Sequence, residues 1–281
     1  MCDFCVQHGE GKKWYVQAKN YAEDLLSDVR RRRFITDFFS TPERLSHEAR
    51  EMDKLQKAPG FVRRMISAAV TRRMKKWHFG QVLPLEDVAE VFGFVNSIVR
   101  VPCICRHVTV GKEARYCYAV SMGTGGGVLR ELLDGIDSSF LSGPDTAAFE
   151  TLTREQALEA FAEHEREGLC HSVWTFMAPF IGGICNCDRS DCMAMRATVT
   201  HDLKIMFRAE YVAKVDKDLC AGCRACMRVC QFGAMAYSAA DKKAYVDQTD
   251  CYGCGVCRAV CEKGAISLIP RAEAPVAARL W

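Results

Sequence analysis

Cys220-Ala221-Gly222-Cys223-Arg224-Ala225-Cys226-Met227-Arg228-Val229-Cys230 and Cys251-Tyr252-Gly253-Cys254-Gly255-Val256-Cys257-Arg258-Ala259-Val260-Cys261 are two copies of one spacing, CxxCxxCxxxC. Together they take eight of the seventeen cysteines in the chain. The first three thiolates of each copy are expected on a tight loop whose backbone N–H groups turn toward sulfur, and the fourth is expected to begin a helix leading away. Four thiolates so placed fit the corners of a cubane iron–sulfur cluster. The fourth cysteine cannot curl back onto its own loop, so it should reach the other cluster. The expected ligand sets are Cys220, Cys223, Cys226 and Cys261 for one 4Fe-4S cube, and Cys251, Cys254, Cys257 and Cys230 for the second.

On these motifs, residues 211–269 resemble a two-cluster bacterial ferredoxin. The repetition in register makes the resemblance far more specific than a single CxxC pair. Zinc is the alternative reading of such thiols, but it takes four ligands, typically as two separated CxxC pairs, and has no use for a third thiolate two residues beyond the second pair member. One position departs from the ferredoxin pattern. Proline commonly follows the fourth cysteine there, whereas this chain has Gln231 and Glu262. Ligation is not touched by that change, but turn rigidity and the charge beside each sulfur are.

A chain of 281 residues is several times one small ferredoxin, so at least two cores are expected. With 49% hydrophobic and 26% charged residues the composition is that of an ordinary globular protein. No apolar run approaches the ~18–20 residues of a membrane span. The first residues lack a basic segment followed by an apolar one, so no secretory leader is expected, and so many thiols in metal-ligand spacing suit a reducing, cytoplasmic setting. Charge is uneven. Residues 1–80 hold 17 Lys and Arg against 10 Asp and Glu, and the remainder 21 against 25.

The expected fold class is α+β in four parts: a basic helical region over residues 1–80, a cysteine-rich mixed domain over 81–210, the bacterial ferredoxin-like domain over 211–270, and a tail over 271–281. Apolar spacing predicts helices over 20–39, 42–59, 61–77 and 86–96, the third with Val62, Met65, Ile66, Ala69, Val70 and Met74 on one stripe. Strands are predicted over 97–105, 116–120 and 211–215. Thr153 with Gln156 forms a capping box for a helix to Glu167, closed by Gly168.

The remaining cysteines are grouped too. Cys103, Cys105 and Cys117 form one group, with His107 nearby, and Cys185, Cys187 and Cys192 form another. Four of these six are expected to bind a third iron–sulfur cluster, with zinc as the alternative and plain buried thiols after that. A loop is expected to bring at least one member of each CxC pair into the shared site, supplied by Pro102 and by the polar stretch after Cys187. His107 is expected either to tune a cluster by hydrogen bonding or to be a surface residue. Cys2, Cys5 and His8 offer a partial ligand set at the start of the chain, and Cys170 reads as a buried thiol that needs no metal.

Val101-Pro102-Cys103-Ile104-Cys105-Arg106, the helix running into Gly168-Leu169, and Ile184-Cys185-Asn186-Cys187 resemble multi-cluster ferredoxin-domain proteins common in anaerobes. In these a cysteine-rich domain precedes the two-cluster module. Their later motif is richer in cysteine, whereas this chain has Asp188 and Asp191.

The expected function is an iron–sulfur electron-transfer protein or subunit that relays single electrons within a cytosolic multi-subunit oxidoreductase, with redox proteins, among them a catalytic subunit, as partners. Gly123 to Gly127 does not complete GxGxxG, because Val128 stands where the last glycine belongs. The basic helices are expected to dock an acidic partner; no nucleic-acid partner is expected, since no recognition motif accompanies them. Two rival readings stand beside this one. They are an iron–sulfur enzyme with an open metal position in the middle domain, and an iron–sulfur redox sensor that binds nucleic acid.

Overall fold

The computed structural model describes residues 9, 11–111, 114–136 and 149–280; Cys2, Cys5 and His8 therefore lie outside the described residues. From Trp14 to Ser27 the chain runs in short 3-10 turns, not in the first half of the helix expected over 20–39. Trp14, Tyr15, Tyr21 and Leu26 are all at most 1% exposed, a burial no single helix face could give them. Local bonds also compete with helix: Asn20 Nδ2 donates to the Trp14 carbonyl (2.8 Å) and the Tyr21 hydroxyl to that of Tyr15 (2.6 Å).

Helix α1 (Val29–Ser40) starts only where the Asp28 carboxylate accepts from Arg30 N (2.9 Å). Thr41 and Pro42 open α2 (Pro42–Leu55), and Pro59 precedes α3 (Gly60–Trp77). The apolar stripe of α3 is not a core stripe, for no residue of this helix is fully buried and Met65 is 70% exposed.

Strand β1 (Gly80–Val82) leads to α4 (Leu85–Phe92), which stops at Gly93, short of the expected residue 96. Strand β2 (Ser97–Val101) ends at Pro102, and α5 (Ile104–Val110) starts two residues later. The strand expected to reach residue 105 is thus a strand, a turn and a helix. After β3 (Cys117–Ser121) come α6 (Gly127–Asp134), β4 (Glu150–Leu152), α7 (Arg154–Arg166), β5 (Cys170–Thr175), β6 (Ile181–Cys187), α8 (Met193–Val199) and β7 (Met206–Phe207). The α7 capping box is formed as expected, and Gly168 takes φ +92° beyond the helix end.

These strands make one seven-stranded sheet in the order β4-β2-β3-β6-β5-β1-β7, antiparallel except for the β1–β7 pair. Side chains alternate across it. Tyr118, Val120, Val173 and Ile184 face a core shared with Phe92 of α4, Phe161 of α7 and the N-terminal Trp14, Tyr15 and Tyr21. The first eighty residues therefore do not form a core of their own. Toward the opposite face, α1 and α6 pack Ile35, Leu129 and Leu133 around Phe176 and Phe180. The glycine run holds part of the chain itself: Val128 N donates to Glu23 Oε1 (2.9 Å), and a Cβ on Gly127 would come within 1.7 Å of that oxygen.

The C-terminal module pairs β8 (Tyr211–Val215) with β11 (Ile266–Pro270) and β9 (Met235–Ser238) with β10 (Lys243–Val246), both pairs antiparallel, and adds the short helices α9 (Ala225–Val229) and α10 (Val256–Ala259). The segment after β11 is not a loose tail. Arg271 is fully buried and donates to the carbonyls of Ala209 (2.7 Å), Tyr211 (2.7 Å) and Cys251 (2.9 Å), while Ala274 and Ala277 join the module's core. Helices and strands together give the α+β class. No described helix is long and apolar enough to cross a membrane.

The basic run of α1 divides in two. Arg32 and Arg33 are exposed, but Arg31 is 6% exposed and donates through Nε to the carbonyls of Phe176 (3.1 Å) and Met177 (3.2 Å). Replacing Arg31 by Ala leaves buried carbonyls without donors and should lower stability by about 2–4 kcal/mol, against ~0.5 kcal/mol or less for Arg32→Ala. Denaturation midpoints of the two variants check this.

Candidate metal centres

The two CxxCxxC loops are shaped by residues that tolerate positive φ. Gly222 (+69°) and Gly253 (+73°) occupy equivalent places, and a Cβ on either would meet a backbone oxygen, of Lys242 at 2.3 Å or Tyr211 at 2.0 Å. Backbone N–H groups from outside the two loops reach three of the sulfurs. Ala244 N donates to Cys220 Sγ (3.4 Å), Ala213 N to Cys251 Sγ (3.4 Å) and Ala265 N to Cys261 Sγ (3.3 Å). One detail differs. The third cysteine of each copy, Cys226 or Cys257, sits within the short helix, and Cys230 and Cys261 follow its end instead of beginning it.

Cys230 nevertheless turns toward the other copy. With Cys251, Cys254 and Cys257 it lines a small, partly open recess whose walls include Ala213, Phe232 and Tyr252. Four thiols converging there, with an N–H donor on Cys251, match what a cubane asks of its protein. Exposure separates the two copies: Cys251, Cys254 and Cys257 are all buried, whereas Cys223 is exposed.

The structure also brings together all six cysteines of the middle domain. Cys117 and Cys185 are direct cross-strand partners on β3 and β6 and share a face. Cys185 and Cys187 lie two apart on β6, and residues at that spacing point the same way, so this pair needs no loop. That corrects the expectation of a loop in each CxC pair. Cys103 occupies the N-cap position of α5 with Cys105 in its first turn, and Cys192 is the N-cap residue of α8. The thiols of Cys103, Cys117 and Cys185 touch in one run and those of Cys105, Cys192 and Cys187 in another.

Burial, with Cys117 beside it, pushes the Cys103 thiol up. Contact with Cys192, together with burial, pushes up Cys105 and Cys187, and the same two donors pull Cys192 well down. Tyr116 N donates to Cys103 Sγ (3.0 Å). Arg106 lies 97% out of solvent; burial opposes its charge, but Cys103, Cys192, Cys187 and Asp188 around it hold it firmly protonated. Its Nη1 approaches Cys103 Sγ (3.8 Å), its Nη2 donates to the Asn186 carbonyl (3.1 Å), and it pairs with Asp188.

Asp188 is thus a counter-ion that also accepts from Ser190 Oγ (2.7 Å) and Asp191 N (2.6 Å). Sequence reading passed over Arg106 in favour of its neighbour His107, although an arginine between two cysteine groups was the available clue. No three His, Cys, Asp or Glu side chains among the described residues stand as ligands of a single ion, which holds for the eight ferredoxin cysteines as much as for these six.

The ferredoxin module is fastened to the sheet domain by polar contacts. Tyr211 donates to Asp87 Oδ1 (3.0 Å), Arg258 forks onto Glu86, and Gly9 N donates to Glu210 Oε1 (2.7 Å). Gln231 works as a clamp. Its Nε2 donates to the Gly168 carbonyl (2.7 Å) and its Oε1 accepts from Arg189 N (3.1 Å).

Residues 205–265 match the 4Fe-4S dicluster domain family. No curated protein matches the chain. The chain therefore carries a C-terminal ferredoxin-like domain that binds 4Fe-4S clusters, and an iron–sulfur electron-transfer role goes with it.

Glu165 gives this region a pH dependence. Its carboxyl lies against the Cys254–Cys257 loop, 3.1 Å from where a Cβ of Gly255 would be, and burial pushes its pKa up to about 7. The native state then holds this proton more tightly than the unfolded chain, so stability falls as pH rises from the ordinary carboxyl range through 7. Glu165→Gln should flatten that fall and stabilise the protein at pH 8 by on the order of 2–3 kcal/mol, read from thermal midpoints between pH 5 and 8.

Proposed function

We propose that the protein is an electron-transfer subunit with three metal centres, two cubanes in the ferredoxin module and a third iron–sulfur cluster among Cys103, Cys105, Cys117, Cys185, Cys187 and Cys192, and that it relays single electrons to the catalytic subunit of an oxidoreductase. One observation carries this reading: six thiols from α5, β3, β6 and α8 meet on one sheet face beside the module. Thiolates are soft ligands that select iron–sulfur clusters, zinc or Cu(I), and four of the six suffice for a cubane. The clusters would supply one-electron redox chemistry without bond changes in a substrate. The chain's own part is to present the sulfurs, donate N–H groups to them and exclude water. A role in the cytoplasm follows from the thiol chemistry.

The test is iron, zinc and sulfide analysis of the full chain prepared without oxygen. About eight iron atoms belong to a 4Fe-4S dicluster domain, and the reading predicts more, with Cys185→Ala or Cys187→Ala removing the excess alone. Zinc in place of the excess iron would favour the zinc alternative. About eight iron atoms and no zinc would refute a third centre.

Partner docking through the basic helices rests on Arg32, Arg72 and Arg73, which are exposed, and not on the buried Arg31. Reversing these three to Glu should weaken partner association severalfold at low salt with cluster spectra unchanged, and the loss should shrink as salt screens the charges. Unchanged association at low salt removes the docking role.

A further inference from the structure

The middle six thiols and the ferredoxin module do not meet at random. Cys170 on β5 is the cross-strand partner of Cys187 on β6, so its side chain projects on the thiol-bearing face, while His171 beside it turns to the other core. Cys170 is fully buried and packs in one cluster with Cys187, Cys192 and Cys254. Its thiol is in contact with that of Cys254, and Cys192 and Cys230 are its next cysteine neighbours. The same S–H lies 3.6 Å from its own strand's His171 carbonyl, but a cluster-bound Cys254 carries negative charge and is the stronger acceptor. The Gln231 clamp fixes this approach, because it ties the residue after Cys230 to Gly168, two residues before Cys170. By contrast, Cys223 of the other copy is exposed, and so is Leu219, which precedes Cys220 (54%).

We propose that the three centres form a line: the six-thiol site, then the cluster held by Cys251, Cys254, Cys257 and Cys230, then the cluster held by Cys220, Cys223, Cys226 and Cys261, with Cys170 as the positioning residue at the first junction. This line rests on the proposed third centre. One electron leaves one centre and enters the next; no bond is made, no proton moves, and Cys170 keeps its hydrogen. Tunnelling weakens steeply with distance and through gaps, so a packed thiol between two ligand sets is the favoured path. A donor on Cys254 sulfur also stabilises the added electron, so it raises that cluster's reduction potential. The exposed Cys223 end is left to exchange electrons with another protein.

The test uses the full chain with its clusters, in Cys170→Ala and Cys170→Ser, read by iron content, redox titration and electron paramagnetic resonance. Cys170→Ala should keep the iron of the wild type and move only the Cys251–Cys254–Cys257–Cys230 cluster to a more negative potential; Cys170→Ser, which retains a donor, should restore most of the shift. Loss of iron in both variants would make Cys170 a ligand and overturn the proposal, as would an unmoved potential in Cys170→Ala. For the order, the third centre's resonance in the reduced protein should show magnetic interaction that survives Cys223→Ser and disappears in Cys257→Ser. The reverse pattern overturns the line. If the wild type holds no third centre, the proposed function fails by metal analysis, and the potential shift of Cys170→Ala still reports separately on the contact with Cys254.

Discussion

Sulfur anions buried in protein must be compensated, and that electrostatic requirement organises this molecule. A buried thiol left to itself keeps its proton, as the upward shift of Cys103 shows. A metal removes the proton and supplies the charge, and the protein adds N–H donors and nearby cations. Each cysteine group has such support: main-chain N–H groups on Cys220, Cys251, Cys261 and Cys103, and the Arg106 guanidinium among the middle thiols. Arg271 serves a related end. It is fully buried and ties the carbonyl of Cys251 to those of Ala209 and Tyr211, so the segment after β11 holds the second loop in place.

Two side chains near the cysteine groups tie distant parts of the chain together. Asp188 pairs with Arg106, so one acidic side chain both neutralises the buried cation and shapes the turn to Cys192. Gln231, just beyond α9, makes two hydrogen bonds that seat the module on the sheet domain.

Much of the ferredoxin-like domain was legible because its information is local. Spacing, loop glycines and the strand over 211–215 all reside within a few residues of each other, and the structure forms each of them. The capping box of α7 was legible for the same reason. What was not legible depended on tertiary partners. Tyr21 looks helical by spacing, but the sheet core claims it together with Trp14 and Tyr15; Arg31 looks like part of a solvated run, but two distant carbonyls claim it. Cys170 could not be told from an inert core thiol until strand register placed it beside Cys187 and the module placed Cys254 against it.

Anomalous X-ray scattering at the iron absorption edge, from crystals of the full chain grown without oxygen, tests the central claim most directly. The account predicts three compact iron sites, two in the ferredoxin module and the third between α5, β3, β6 and α8, with the Cys254 side of the module nearest to it. Iron confined to the two module sites, with none among the six middle thiols, would contradict it.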